Sequence, residues 1–288
     1  MPGPSPARRF ACGALPLHAL EWNPGGAVPV VLLHGWLDHA HSFDPVCEAL
    51  PPTFRCLALD FRGHGQSGHL PGGTGYEVGQ YLADVHALLD DAGLGRAHLV
   101  GHSLGGVVAL AFAAAAPARV ASVTSLDNAG PLGGGPGRAL ERLRAYVADL
   151  GKPARRATYP DSATATKRLL ARSPGMPPAV AGHLCRHGVE PVEGGVAFRF
   201  DPRLRRAFSH TWDRGQVEAL LRGVEAPVQL LLGDRGHLSG EQKAAELEER
   251  VAWLRAGPPT WLRGGHHVHL EQPAEVARAL AAWVDRHG

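Results

Sequence analysis

The chain has 288 residues, with 29 Lys and Arg against 27 Asp and Glu and a formal charge of +2. That is ample length for a large core, and too little charge for an electrostatic footprint on nucleic acid or anionic lipid. Its four cysteines, Cys12, Cys47, Cys56 and Cys185, form no CxxC pair, which argues against a zinc knuckle or disulfide framework and fits a reducing compartment. The opening "MPGPSPARRF" predicts a short disordered start without an apolar targeting stretch, and no later segment approaches the ~18 to 20 apolar residues of a membrane span. A cytoplasmic protein with a small-molecule partner, and no nucleic-acid or membrane partner, is the expectation; the oligomeric state is left open.

In chain order, two short strands near 7–13 and 16–22 predict an antiparallel hairpin. The apolar runs "VPVVLLHG", "FRCLALD" and "AHLVGH" then alternate with helical segments near 42–50, 76–91 and from 104, followed by a strand near 119–127. This βαβ rhythm predicts a mostly parallel sheet with helices on both faces. From 131 to 223 the rhythm stops: "GPLGGGPG" opens the segment and "RSPGMPP" and "DPRLRRAF" punctuate it, so 131–223 is expected to be a lid inserted into a core made of 1–130 and 224–288. The glycines at 133–135 are a candidate hinge. The sheet pattern resumes with "APVQLLLGD", a helix near 240–252, a strand near 259–262 and a final amphipathic helix from 273.

Gly101, His102, Ser103, Leu104 and Gly105 form a G-x-S-x-G motif between a predicted strand and a predicted helix. Small residues on both sides let the backbone turn sharply there, so the hydroxyl projects at the top of the sheet. Such a serine needs a base to accept its proton. "GGHHVHLEQP" places His266 just after the last predicted strand, with His267 and His269 as alternatives. Lacking H-E-x-x-H spacing or a nearby series of carboxylates, these three histidines predict no metal site, and no cofactor is called for. The tetrahedral oxyanion would need two backbone N–H donors, for which Leu104 and Trp36, in "LLHGWLD", are the candidates. His64 and Arg62 read as loop-shaping residues, and Tyr146, Tyr159, Phe198 and Trp212 as packing within the insertion.

"HGWLD", "DFRGHGQSG", "GHSLGG" and "GGHHVHLEQP" occur in the order found in α/β-hydrolases. The chain resembles that superfamily over nearly all but the insertion. "HGWLDHAHSF" and "GGHHVHLE" resemble its serine-hydrolase-like branch in particular. The resemblance implies a helical lid between strands six and seven and an acid after strand seven, three residues beyond Gly233. That position is Gly236, so the carboxylate is missing there. Asp127, at the end of strand six, is the expected substitute, with Asp234 as the alternative.

The reading is therefore a carboxylesterase-like serine hydrolase acting on a small, largely apolar ester through Ser103, His266 and Asp127. A nucleophilic serine argues against the haloalkane dehalogenases and epoxide hydrolases of this fold, which carry an aspartate there. A catalytically silent small-molecule-binding member is the alternative suggested by Gly236, and C–C hydrolysis or perhydrolysis on the same Ser-His framework stays open.

Overall fold

A computed structural model describes residues 7–72, 75–135, 138–210 and 212–287; the expected disordered start lies largely outside them. The first half contains β1 (Arg8–Cys12), β2 (Leu15–Trp22), β3 (Val28–Leu33), α1 (Asp44–Ala49), β4 (Phe54–Asp60), α2 (Val78–Asp91), β5 (Ala97–His102), α3 (Leu104–Ala115) and β6 (Val120–Leu126). These follow the sequence reading closely. α2 begins where it does because Glu77 and Gln80 form a reciprocal capping box, the Gln80 side chain accepting from the Glu77 N–H at 2.9 Å.

The segment 131–223 holds β7 (Gly133–Gly134), α4 (Arg138–Leu150), β8 (Thr158–Tyr159), α5 (Ser162–Arg172), α6 (Pro178–Gly188), β9 (Val189–Val192), β10 (Gly195–Phe198), β11 (Trp212–Asp213) and α7 (Arg214–Arg222). It is thus mixed in structure and not purely helical. Strands β8, β10 and β9 form a small antiparallel sheet, and β7 pairs with β11, so two of the glycines expected to hinge are held in a ladder with Trp212 and Asp213. Val217 and Leu221 of α7 are buried in the same apolar cluster as Val108 and Phe112 of α3. The chain closes with β12 (Val228–Gly233), α8 (Glu241–Leu254), β13 (Thr260–Leu262), α9 (Val268–Glu271) and α10 (Pro273–His287).

The large sheet has the order β1-β2-β4-β3-β5-β6-β12-β13. β2 is antiparallel to β1 and β4, whereas every pairing from β4 through β13 is parallel. Alternation along β3 explains the two layers: Val31 and Leu33 join the core under α2, α3 and α8, while Val30 and Leu32 join the one under α1 and α10. Both faces are apolar, as a covered parallel strand requires. The carboxyl ends of β3, β5, β6, β12 and β13 consequently gather at one edge, where ligands bind in open α/β sheets. Among the described residues, no helix is long and apolar enough to cross a membrane.

Candidate active site

Ser103 joins β5 to α3 with φ 51° and ψ −113°, a backbone conformation that a side-chain-bearing residue rarely adopts. The turn is possible because both flanking glycines are irreplaceable sterically. A β-carbon on Gly101 would collide with the Gly105 carbonyl, and one on Gly105 with the Leu33 carbonyl. The Ser103 N–H donates to the Leu126 carbonyl at 3.1 Å, and the Ser103 carbonyl accepts from Gly106 at 3.0 Å, which fixes the serine at the helix start.

His266 follows β13 and reaches Asp127, which follows β6: Nδ1 lies 2.6 Å from Asp127 Oδ2. Asp127 has a fully buried side chain, and its carboxylate also accepts from the His237 N–H at 2.8 Å and the Gly233 N–H at 3.2 Å. Those two donors leave it little freedom. With Nδ1 donating to Asp127, the lone pair of His266 falls on Nε2. The ring of His237 stacks on that of His266, with centroids 3.6 Å apart. Sequence reasoning missed His237, because nothing in "GDRGHL" announces a stack with a residue of another loop.

Asp234, the alternative acid, faces elsewhere. Its Oδ1 accepts from the Gly264 N–H at 2.9 Å, and its side chain is half exposed. His267 and His269, the alternative bases, do not bond to Asp127; His269 is buried against Phe43, with ring centroids 5.1 Å apart.

Trp36 and Leu104 flank the serine. Leu104 is the first residue of α3, and Trp36 lies in the turn after β3; among the described residues, neither backbone N–H donates to another protein group. The indole Nε1 of Trp36 donates to the Leu204 carbonyl at 3.1 Å, tying this turn to the insertion. His34 holds the turn from below, its Nε2 accepting from the Phe61 N–H at 3.1 Å and its Nδ1 donating to the Gly35 carbonyl at 2.7 Å. His64 and Arg62 shape the neighbouring loop as expected: Arg62 forks onto the buried Asp84, and His64 donates to the Arg62 carbonyl at 3.0 Å.

Two cavities meet at Ser103. One, of about 830 Å³, is lined mainly by apolar groups, including Leu104, Val107, Pro131, Phe208, Trp212 and Leu238. Arg250 braces its wall, donating to the carbonyls of Ala129 at 3.1 Å and Pro131 at 2.8 Å. The other, of about 460 Å³, contains Ser103 and His266 together with Trp36, Asp38, His102 and His267.

Residues 28–177 match the family described as the alpha/beta hydrolase fold. The chain belongs to the α/β-hydrolase family. Within it, the chain lies in the serine-hydrolase-like branch: it is 30% identical over 277 residues to a serine hydrolase-like protein of Danio rerio, covering 93% of this chain and 85% of that one. A crystal structure of a hypothetical protein from Pseudomonas aeruginosa PAO1 superposes with TM-score 0.89 at 30% identity, covering 97% of this α/β-hydrolase and 99% of that chain. A 2-(acetamidomethylene)succinate hydrolase of Mesorhizobium japonicum is 28% identical over 285 residues, covering 97% of this chain and 95% of that one. A hydrolase is what the family and these relatives indicate.

Proposed function

We propose that the protein is a serine hydrolase that cleaves a small, largely apolar ester through an acyl-enzyme. The observation that carries this reading is the 2.6 Å hydrogen bond between His266 Nδ1 and Asp127, in a cleft shared with the strained Ser103. Asp127 holds the imidazole in the tautomer whose Nε2 accepts a proton. His266 Nε2 takes the Ser103 Oγ proton as Oγ bonds to the ester carbonyl carbon. The resulting oxyanion accepts hydrogen bonds from the N–H groups of Trp36 and Leu104, each contributing roughly 3 to 4 kcal/mol. Collapse breaks the bond to the alkoxy oxygen, which leaves as the alcohol with the proton from His266. Water then repeats the sequence on the acyl-enzyme and releases the acid.

The 830 Å³ cavity and its apolar lining support an apolar acyl or alcohol group. The case for a silent binding member rested on the missing carboxylate at Gly236, and the Asp127–His266 bond supports the hydrolase instead. Hydrolysis of p-nitrophenyl acetate and butyrate by wild type beside Ser103→Ala tests the reading, with fluorophosphonate labelling as a second readout. Turnover and labelling should both vanish in the folded variant. A folded wild type that neither turns over nor labels would sink the proposal.

A further inference from the structure

Among the described residues, twelve buried side-chain nitrogen and oxygen atoms lack a hydrogen-bond partner, and four of them belong to three residues gathered beside the serine. Asp38, in the turn after β3, uses Oδ1 to accept from the His39 N–H at 2.8 Å, while its buried Oδ2 has no protein partner. His102, the last residue of β5, donates from Nε2 to the His266 carbonyl at 2.8 Å, which leaves the Nδ1 lone pair buried and unpartnered. His269, in α9, is fully buried with neither ring nitrogen bonded. One ligand atom from each of these three residues lies within 4.8 Å of the others. Burial holds both imidazoles in the neutral form, well below the ordinary histidine range, each reinforced by neighbouring histidines.

We propose that Asp38, His102 and His269 form a binding site for a divalent transition-metal ion of the zinc, cobalt or nickel type. Two imidazoles and one carboxylate suit those borderline ions and not calcium or magnesium. Two of the three residues also have the outer contacts of metal ligands: His102 gives its other N–H to a backbone carbonyl, and the second Asp38 oxygen is held by a backbone N–H. Asp38 and His102 line the 460 Å³ cleft, which provides a path from solvent. Local sequence argued against a metal because "GGHHVHLEQP" has no carboxylate series near its histidines; the fold brings Asp38 to them from the far loop after β3. Two other triplets are weaker candidates. Asp127 and His266 already bond to each other, and in the partly exposed set His41, Asp44 and His187, Asp44 already engages His41.

His102 is the residue before Ser103 and holds the carbonyl of His266, so an ion at this site acts on the hydrolytic groups as an inhibitor. That consequence rests on the proposed function; the binding does not. The test titrates the chelator-stripped, reduced full chain with cobalt(II), followed by visible absorption and calorimetry. We expect one cobalt per chain, d–d bands without thiolate charge-transfer bands, a cobalt-dependent rise in Tm, and affinity weakened about 10-fold or more in Asp38→Asn and His269→Phe. His187→Ala should bind cobalt like wild type. Should His269→Phe not fold, Asp38→Asn decides the matter. No cobalt bound at large excess, or binding unchanged in Asp38→Asn, overturns the site. In a parallel assay, cobalt should slow p-nitrophenyl butyrate hydrolysis by wild type and spare Asp38→Asn; binding without slowing overturns the inhibitory role alone. A wild type inactive on esters would refute the hydrolase reading while the spectra still judge the metal site.

Discussion

A β-carbon at Gly236 would collide with the carboxylate of Asp127. The two places from which an acid reaches the histidine of this fold therefore share one volume, and a chain that fills it from the end of β6 must leave position 236 without a side chain. The glycine that looks like a missing acid is the steric counterpart of the Asp127 carboxylate. Asp127→Asn should lower kcat by about 10⁴-fold, as loss of the orienting acid does elsewhere, while Asp234→Asn should leave it unchanged. Steady-state kinetics on p-nitrophenyl butyrate decide, and equal losses in both variants would contradict the assignment.

The shared volume also predicts a rescue. Asp127→Ala combined with Gly236→Asp should recover activity at least about 10-fold over Asp127→Ala alone, because the new carboxylate enters the vacated space. Gly236→Asp by itself should be less stable than wild type. Comparing the three variants in one kinetic series, with urea midpoints alongside, checks both statements.

The glycines around Ser103 carry a stability prediction. Gly105→Ala drives a methyl group into the Leu33 carbonyl, and should cost about 2 to 3 kcal/mol, in the upper range for overpacking. Gly25→Ala, where a β-carbon meets nothing within 4 Å, should change stability by less than about 0.5 kcal/mol. Urea unfolding separates them, and equal midpoints would show that the turn relaxes more freely than its contacts imply.

The Arg62–Asp84 pair is buried on both sides, at 2.6 Å. Burial nonetheless pushes Asp84 above the usual carboxylate range, against the pull of Arg62, so desolvation outweighs the attraction. Asp84→Ala should destabilise by about 3 to 5 kcal/mol, because it strands the guanidinium. Arg62→Met combined with Asp84→Leu should cost less than that single change. A double variant worse than the single one would mean that the pair itself is strongly stabilising.

Buried histidines set an acid limit on stability. Burial pushes His64 well below its ordinary value, with His34 adding and the Arg62 carbonyl and Asp60 opposing, and it pushes His98 down to about 4, reinforced by Arg96 and His287. The unfolded chain binds protons at these residues near pH 6.5, whereas the folded chain does not. Below that pH the unfolded state takes up more protons, so stability is complete above about pH 6.5 and declines toward about pH 4. Urea midpoints from pH 8 to pH 5 should fall, and His98→Gln should flatten the slope. A midpoint independent of pH would rule out the neutral buried state.

Much of the architecture was legible because its causes are local. The apolar runs "VPVVLL" and "FRCLAL", the break at "GPLGGGPG" and the resumption at "APVQLLLG" mark strands within a residue or two of where they lie. Ser103 was legible for the same reason, since the glycines that permit its backbone are its neighbours in sequence. The insertion was read as helical because β8 and β11 are two residues long and β9 and β10 only four, too short to show a period of two.

The acid and the buried histidine cluster depended on which strands become neighbours. β12 lies between β6 and β13, so Asp234, just after β12, starts beside the strand that leads to His266, yet its carboxylate turns to the Gly264 N–H. Asp127, one strand further away, crosses the Gly233 turn to reach Nδ1. Asp38, in the turn after β3, meets His102 of β5 and His269 of α9 in the same way. By itself, the sequence determined the elements and the sharp turn that carries Ser103, because short-range sterics and periodicity write those into contiguous residues. Only the tertiary structure decided which carboxylates face which imidazoles, because that depends on strand order and on the direction each side chain leaves its turn.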